Sequence, residues 1–205
     1  MALPASIDTS VTFEQARNTI PDLNQQLADS YYNATISYFD RLTHEVCIFG
    51  VKPDDGPVSF IPGQYTSLGL GYWEPRIDDA IEADIDTQWS KLARRSYSVS
   101  SPIFTSDDYH TDHGVADLAR CENLEDIEIY AVLVSPEGDF VPGLTPRLAM
   151  KNVGDRLFMG RKMAGRYDAS AVDDPTAPLV FLSTGTGEAP QMAMIVELLR
   201  TGHSG

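Results

Sequence analysis

The chain has 205 residues, of which 42% are hydrophobic and 22% are charged, and this is the composition of an ordinary globular protein. Its length suffices for one well-buried domain and part of a second. The formal net charge of -15 argues against a general nucleic-acid binder, because such proteins neutralise phosphates with Lys and Arg. No apolar run approaches the length of a membrane span, and the first residues lack the basic region and apolar core of a signal peptide.

The sequence offers no pattern typical of a metal site or of a disulfide. Cys47 and Cys121 are far apart and match no CxxC or metal-ligand spacing, which predicts two reduced thiols in a cytoplasmic protein. His110 and His113 lie in a polar stretch without a third ligand, so we expect both to be solvated. We therefore predict no metal.

Residues 1–32 have the pattern of a helical extension. Thr12 is a suitable N-cap for a first helix, and Pro21 interrupts that helix. An apolar pattern then resumes weakly through Leu23 and Leu27. We expect a helical arm on the surface of the protein.

Residues 33–172 read as a series of short strands. The β-rich segments, separated by turn signals, are 34–39, 45–51, 60–70, 95–101, 125–134 and 156–160. The acidic stretch 71–92 reads as a loop or short helix inserted between two strands. Thr145 is expected to cap one short helix, with Pro146 at its first position. This order of short strands with one brief helix predicts an antiparallel β barrel.

The pattern changes after residues 173–176, which read as an interdomain linker. Residues 178–183 are a continuous apolar run, typical of a strand buried on both faces. A Gly-rich turn follows, and then a helix over 192–200 that Gly202 ends. This is the first β-α step of a parallel α/β sheet. Since one step cannot bury its own faces, we expect the sequence to be a fragment cut inside its second domain.

A candidate ligand site lies in residues 95–98. Arg95 and Tyr97 are two residues apart and share one face of a strand, while Ser96 and Ser98 point to the other. A guanidinium can pair with a phosphate, and a Tyr ring can pack on a planar heterocycle. The pattern therefore suits a bulky anionic aromatic ligand, although the same four residues also occur in ordinary half-buried strands.

A second candidate is the loop STGTGEAP at 183–190. It follows a predicted buried strand and opens a helix, which is the context in which a Gly-rich loop binds phosphates. Gly185 and Gly187 allow the backbone to come close to a ligand. Pro190 stands where a dinucleotide fingerprint has its third Gly, and it suits a first helical turn.

Taken in order, these segments resemble the bacterial type of the ferredoxin–NADP reductase family. The matching motifs are PGQY at 62–65, RSYS at 95–98, IYAV at 129–132, GLTPRL at 143–148 and GTGEAP at 185–190. The resemblance implies a six-stranded Greek-key FAD barrel over 33–172, preceded by the extension at 1–32. It implies the start of an α/β NAD(P)-binding domain at 173–205.

The resemblance also implies a role for each residue of the site. Arg95 should contact the FAD pyrophosphate, while Tyr97 and Ser98, the expected catalytic residues, should pack on the isoalloxazine and approach its N5. The further cofactor-binding residues implied are Ser96, Tyr130, Ala131, Val132, Gly143, Leu144, Thr145, Thr184, Gly185, Thr186, Gly187 and Glu188. Glu188 and Gln191 depart from the family, which usually has a small or apolar residue at the first position and a hydrophobic one at the second.

The activity implied is electron transfer through FAD between NADPH, rather than NADH, and a one-electron carrier such as ferredoxin or flavodoxin. Residues 143–166 contain six bases and one acid, which predicts a docking face for an acidic carrier. The members of this face are Arg147, Lys151, Arg161, Lys162 and Arg166. Two alternatives remain open, a reductase component for an oxygenase or cytochrome and a flavin-binding regulatory module without turnover. We expect neither nucleic acid nor membrane as a partner.

Overall fold

A closed barrel of six antiparallel strands forms the centre of the structure, a computed structural model that describes residues 7–82, 84–105, 114–137 and 139–205. The strands are β1 (Ala34–Arg41), β2 (Val46–Pro53), β3 (Tyr65–Gly71), β4 (Leu92–Ser100), β5 (Ile127–Val132) and β6 (Arg156–Met159). Around the barrel they follow the order β1, β2, β5, β4, β3, β6. The predicted six-stranded antiparallel barrel is confirmed.

Alternation of apolar and polar residues places each strand in the barrel. In β5, Ile127, Ile129 and Ala131 are buried, whereas the residues between them are half-buried. β2 runs antiparallel beside β5, starting with Val46 opposite Val132. Because side chains alternate with a period of two, the inner set of β5 fills the core and the outer set faces away from it.

Short helices flank the barrel. In the described residues they are α1 (Phe13–Thr19), α2 (Leu23–Tyr31), α3 (Ile85–Gln88), α4 (Thr145–Leu148) and α5 (Glu188–Arg200), with single 3-10 turns at Val115–Asp117 and Gly185–Gly187. None of the helices in this part of the chain combines the length and the apolar character that a membrane crossing requires.

The N-terminal helices pack into the core. Thr12 caps α1 through a capping box, as its position in the sequence predicts. Leu23 and Leu27 of α2 are buried in the main hydrophobic cluster. Trp89 is only 1% exposed and donates its indole N–H to the carbonyl of Val11 at 3.0 Å. Helices therefore form where the sequence predicts them, and many of their residues are exposed, while one apolar face of the arm packs into the core that it shares with the barrel.

The β3–β4 segment (residues 72–91) is tied to α4 by buried ion pairs. Arg147 of α4 donates to Glu82 at 2.6 and 2.9 Å, and Arg76 pairs with Asp78 at 2.7 Å. The Arg147 residue is 2% exposed. Because a buried charge without its partner is costly, this network fixes the β3–β4 segment against α4.

Helix α5 lies close against the barrel through the PGQY turn. Gly63 in this turn has a φ of +98°, and a Cβ there would lie 1.6 Å from the carbonyl oxygen of Tyr167 and 2.5 Å from Cε of Met194. Gln191 is 7% exposed and donates at 2.9 Å to the backbone carbonyl of Leu182. Glycine is therefore required at position 63, both for its backbone conformation and for the approach of its neighbours.

The stretch 178–183, expected to be a buried strand, has a different structure. It forms no strand, and Val180 and Leu182 are 81% and 83% exposed. A strand is stabilised by hydrogen bonds to a neighbouring strand, and within the described ranges nothing pairs with this stretch. Its apolar composition is thus insufficient by itself to form the predicted element.

Both cysteines are free and buried. Burial raises the pKa of the Cys47 thiol to about 11 and that of the Cys121 thiol to about 12, so both are protonated thiols at neutral pH. The predictions for His110 and His113 lie outside the described residues. Among the residues that the structure describes, no three His, Cys, Asp or Glu side chains are grouped to hold a metal ion.

Candidate cofactor site

A cavity of about 310 Å³, here called the main cavity, lies between β4, β5, α4 and the Gly-rich loop. Its volume falls at the small end of the range for ligand sites in proteins. The residues that line it are Arg95, Ser96, Tyr97, Ser98, Tyr130, Val132, Val134, Phe140, Pro142, Gly143, Leu144, Thr145, Thr186 and Ala189. Ten of the fifteen residues that the sequence predicts for a cofactor are therefore brought together around one space.

The backbone edge of β4 is open where it borders the main cavity. β4 pairs with β5 only at Val99 and Ser100, whereas its other edge pairs with β3 from Leu92 to Ser98. Residues 95–98 therefore leave backbone N–H and C=O groups unpaired by β5. This explains why all four of these residues touch the cavity, although alternation along the strand predicts contact for only one face.

Two side chains of β4 give the main cavity its charge and its aromatic surface. Arg95 is exposed, its guanidinium donates to the carbonyl of Arg94 at 2.9 Å, and no carboxylate in the described ranges forms an ion pair with it. The Tyr97 ring is half-buried and packs against the core, and this burial raises the pKa of its hydroxyl. A free guanidinium beside a fixed aromatic ring suits a ligand with an anionic group and a planar ring.

The turn into α4 forms a rigid wall of the main cavity. Gly143 is buried, and its carbonyl accepts a hydrogen bond of 2.6 Å from Arg147 Nη1. The predicted cap at Thr145 is wrong, because Thr145 is the first helical residue and its hydroxyl donates to the carbonyl of Val134 at 3.1 Å. A Cβ on Gly143 would lie 3.0 Å from the hydroxyl oxygen of Tyr72. The turn is thus held by contacts to the β3–β4 segment and to the chain beyond β5.

β5 contributes its outer face to the main cavity. Tyr130 and Val132 line the cavity, whereas the side chain of Ala131 is fully buried in the barrel beside Cys47. The period of two along a strand dictates this division. The inclusion of Ala131 among the cofactor residues therefore finds no support in its side chain, which lies on the opposite face.

The Gly-rich loop borders the main cavity at two points. Thr186 and Ala189 line it. Gly185 and Gly187 belong to the same 3-10 turn as Thr186 but do not line the cavity, and Thr184 does not line it either. Gly185 has a φ of +53° with open space around it. Helix α5 begins directly after this turn, four residues before the predicted start, so Pro190 lies in its first turn as expected.

A second cavity of about 280 Å³, here called the side cavity, adjoins the main one. The two cavities share Tyr130 and Ala189 in their linings. Glu188, which the resemblance includes among the cofactor-binding residues, lines the side cavity instead of the main one, together with Glu128 and Ser100. Sequence reasoning did not single out Glu128, since one acidic residue on the outer face of a strand carries no recognisable signal.

Four residues of the main cavity escaped the sequence prediction. Val134, Phe140 and Pro142 come from the irregular chain after β5, and Ala189 opens α5. Pro142 precedes the GLTPRL motif and could have been found by extending that motif by one residue. The other positions follow only from the path of a loop, which local pattern does not determine.

The predicted basic docking face does not exist as a continuous surface. Arg147 is 2% exposed and paired with Glu82, and the Lys151 side chain is 14% exposed and paired with Glu74. Arg161 is exposed but forms an ion pair of 2.9 Å with an Asp. Lys162 and Arg166 are exposed as predicted, and of this group they are the members without an ion pair in the described residues. Acids from distant parts of the sequence neutralise the rest, and a local charge count cannot reveal that.

The chemistry of the main cavity fits a flavin nucleotide. Arg95 offers a free positive charge, Tyr97 a packed ring, and the open edge of β4 a row of backbone donors and acceptors. The hydroxyls of Ser96 and Ser98 add further hydrogen-bonding groups. An anionic ligand with a planar, polar-edged ring would use each of these features.

Comparison with known proteins identifies the fold. No family model and no curated protein sequence matches the chain. Among solved structures, a ferredoxin NADP+ reductase from Neisseria gonorrhoeae with bound FAD and NADP is similar at 21% identity and a TM-score of 0.51, over 80% of this chain and 49% of that one. The FAD/NAD-binding domain of a nitric oxide dioxygenase from Vibrio cholerae is similar at 21% identity and a TM-score of 0.56, over 85% of this chain and 60% of that one.

A flavohemoglobin from Malassezia yamatoensis with bound FAD and heme extends the comparison. It is similar at 19% identity and a TM-score of 0.53, over 92% of this chain and 41% of that one. The barrel therefore has the fold of the FAD-binding domains of ferredoxin–NADP reductases and flavohemoglobins, and the resemblance derived from the sequence is confirmed at the level of fold. The chain spans about half the length of the structures it matches.

Proposed function

We propose that this chain binds FAD in the main cavity and forms the flavin-binding part of an NAD(P)H-dependent oxidoreductase. The observation that carries this proposal is the convergence of ten predicted cofactor residues on one cavity along the open edge of β4. Structures with bound FAD that share the fold support the choice of FAD over another anionic aromatic ligand.

Each residue of the main cavity is proposed to contact a different part of the flavin nucleotide. Arg95 would pair with the pyrophosphate, Tyr97 would pack on the isoalloxazine, and Ser98 would approach its N5 edge. The buried turn at Gly143 and Thr145 holds the remainder, because its backbone is fixed by Arg147 and Val134. These residues would bind and orient the cofactor.

The Gly-rich loop takes the pyrophosphate of the nicotinamide nucleotide, and NADPH is the proposed form rather than NADH. Bound FAD supplies hydride acceptance and one-electron donation, which is chemistry of the cofactor itself. Thr184, Gly185, Thr186, Gly187 and Glu188 position the dinucleotide beside the main cavity. Their place at the start of a helix of 13 residues favours an anionic group.

The proposed electron acceptor is a one-electron carrier such as ferredoxin or flavodoxin. The burial of Arg147 and Lys151 leaves a smaller basic surface around Lys162 and Arg166 for an acidic carrier. This loss of basic surface makes a reductase component for a cytochrome or an oxygenase the second candidate. Salt tests the first candidate: reduction of an acidic carrier should slow steeply with rising ionic strength, while reduction of a small neutral acceptor by the same protein should be insensitive. Equal salt sensitivity of the two reactions would contradict docking of an acidic carrier on this surface.

Flavin retention by matched variants tests the cofactor site. Arg95→Ala removes the free guanidinium of the main cavity, so we expect the FAD dissociation constant to rise by about tenfold or more. Arg94→Ala is the control, because the Arg94 guanidinium lies 4.0 Å from the ring centre of Phe158, outside the main cavity. Equal losses in the two variants, measured by flavin fluorescence, would contradict the assignment of Arg95.

Colour and bleaching test the reductase assignment. The purified protein should be yellow, and extraction followed by mass measurement should identify FAD. Bleaching on addition of NADPH, measured with the protein that contains this chain at its full length, separates a reductase from a regulatory flavin-binding module. A protein that stays yellow with both NADPH and NADH would favour the module without turnover.

A further inference from the structure

Glu128 is held in place at the boundary of the side cavity. It lies opposite Ser100 in the short β4–β5 ladder, and the Ser100 side chain favours its charged form. Tyr38 of β1 donates its hydroxyl to Oε2 of Glu128 at 3.0 Å. Hydroxyl-bearing side chains from β1 and β4 thus lie on one carboxyl group beside the space that adjoins the main cavity.

The charged groups around Glu128 are acidic. Asp40 on β1 and Asp126 just before β5 act on it electrostatically, and Glu188 of α5 lines the same side cavity. No Lys or Arg is among the described residues that line this cavity. Burial, followed by the charges of Asp40 and Asp126, raises the pKa of Glu128.

Glu125, only three residues earlier, has the opposite surroundings. Its side chain is 75% exposed and pairs with Lys52, and this interaction lowers the pKa of Glu125. The carboxyl groups of Glu125 and Glu128 therefore differ in burial, in partner and in the direction in which their pKa is shifted. This contrast supplies an internal control.

We propose that Glu128 is a redox-linked proton acceptor, which takes up one proton from solvent when the adjoining flavin is reduced and releases it on reoxidation. The inference rests on the proposed binding of FAD in the main cavity. The two cavities share Tyr130 and Ala189, so negative charge gained in the main cavity acts on the Glu128 carboxylate across the boundary that these two residues form. A carboxylate without a cationic partner responds to such charge by binding a proton.

The balance of the step is simple. The electrons come from a reduced nicotinamide nucleotide, or from dithionite in the experiment, and the proton comes from the buffer and forms the O–H bond of the carboxylic acid. On reoxidation that bond breaks and the proton returns to solvent. Glu128 is a positioning residue in this scheme, because no contact between its carboxyl group and the cofactor is required.

The test uses the flavin-loaded protein and dithionite, so that it does not depend on turnover. Reduction-induced infrared difference spectra should contain the C=O band of a newly protonated carboxylic acid. Glu128→Gln should abolish this band and lower the number of protons taken up per flavin, measured with an indicator dye in weak buffer. Glu125→Gln should leave both quantities unchanged.

Removal of the two donors gives a readout that a purely structural role would not produce. Hydrogen bonds from Tyr38 and Ser100 favour the charged carboxylate and so lower the pKa of Glu128. Tyr38→Phe and Ser100→Ala should therefore shift the pH range of proton uptake upwards while they leave Glu128 in place. These variants also keep the test decisive if Glu128→Gln folds poorly.

The outcomes separate this inference from the function on which it rests. A protein that binds no flavin would overturn both. A flavin-loaded protein in which Glu128→Gln retains the full proton uptake, or in which Tyr38→Phe leaves its pH range unchanged, would overturn the inference alone and leave the proposed FAD site intact.

Discussion

Strand β5 and the stretch 178–183 are both apolar segments of similar length, yet the structure treats them in opposite ways. The inner residues of β5, Ile127 and Ile129, are 1% and 0% exposed, whereas Val180 and Leu182 are 81% and 83% exposed. β5 has β2 on one side and β4 on the other, while 178–183 has no strand partner in the described chain. Pairing partners, and not apolar composition alone, decide which segment becomes a buried strand.

The same contrast applies to charge. Arg147 and Arg161 belong to one basic stretch of sequence, but Arg147 is buried with Glu82 and Arg161 lies in an exposed pair with Asp55. A buried ion pair such as that of Arg147 should therefore contribute more to the free energy of unfolding than an exposed pair such as that of Arg161. The predictions below test that contrast, in order of expected effect.

The largest effect is expected from Arg147→Ala. It removes one of the two guanidinium groups that pair with the buried Glu82, so that only Arg76 remains at 2.8 Å, and it leaves the carbonyls of Gly143 and Tyr72 without their donor. The free energy of unfolding should therefore fall by about 3–5 kcal/mol. Arg161→Ala is the control, since an exposed pair contributes about 0–1 kcal/mol. Urea unfolding followed by Trp fluorescence measures both, and similar losses in the two variants would refute the distinction.

The next effect compares the two apolar segments directly. Ile129→Ala should lower the free energy of unfolding by about 2–5 kcal/mol, because it leaves a cavity in the barrel core. Leu182→Ala should change it by no more than about 0.5 kcal/mol, because that side chain is already exposed. A large loss for Leu182→Ala in this chain would mean that 178–183 is packed after all.

Gly63→Ala tests the approach of α5 to the barrel. The substitution adds strain at a positive φ, about 1–3 kcal/mol, and places a methyl group on the carbonyl of Tyr167. Gly56→Ala is the matched control, because Gly56 also has a positive φ of +99° but open space around it. Hydrogen exchange in α5 should accelerate in the first variant and not in the second; equal protection would argue against the close contact.

The smallest effect is the pH dependence contributed by Glu128. Its pKa is raised in the folded protein, so the unfolded chain binds fewer protons and stability falls as pH rises from the unfolded pKa through the folded one. Glu128→Gln removes this loss, so its free energy of unfolding should lie closest to that of the wild type at low pH and should gain on it as the pH rises above that window. Denaturant titrations at several pH values measure the difference, and a variant that loses stability at high pH would contradict the sign.

The sequence predicts the barrel well because each strand carries its own signal. Alternation in β5 and the turn residues around Gly63 follow from local rules, and they are the features that the structure reproduces. The cavity residues of β4 were also found, because the tetrad at 95–98 is local. Contacts between residues far apart in the chain could not be predicted from the sequence; the acid that neutralises Arg147, for example, is 65 residues away.

The candidate site divides in the same way. Motifs identify the residues that approach a ligand, but the open edge of β4 arises from the two-residue pairing with β5, which no pattern in either strand announces. The role proposed for Glu128 depends on Tyr38 and Ser100, which the fold brings next to it from distant parts of the sequence. Residue types can be read from a sequence, whereas the neighbours that set their pKa values come from the fold.

The ion pair between Arg147 and Glu82 has a consequence for anyone who wishes to redesign this scaffold. The β3–β4 segment has the appearance of a removable insertion, and trimming it would be the first step towards a smaller module. Such a deletion would strand a buried guanidinium beneath the Gly143 turn, beside the proposed cofactor. The β3–β4 segment and α4 therefore depend on each other, and a redesign must replace both or keep both.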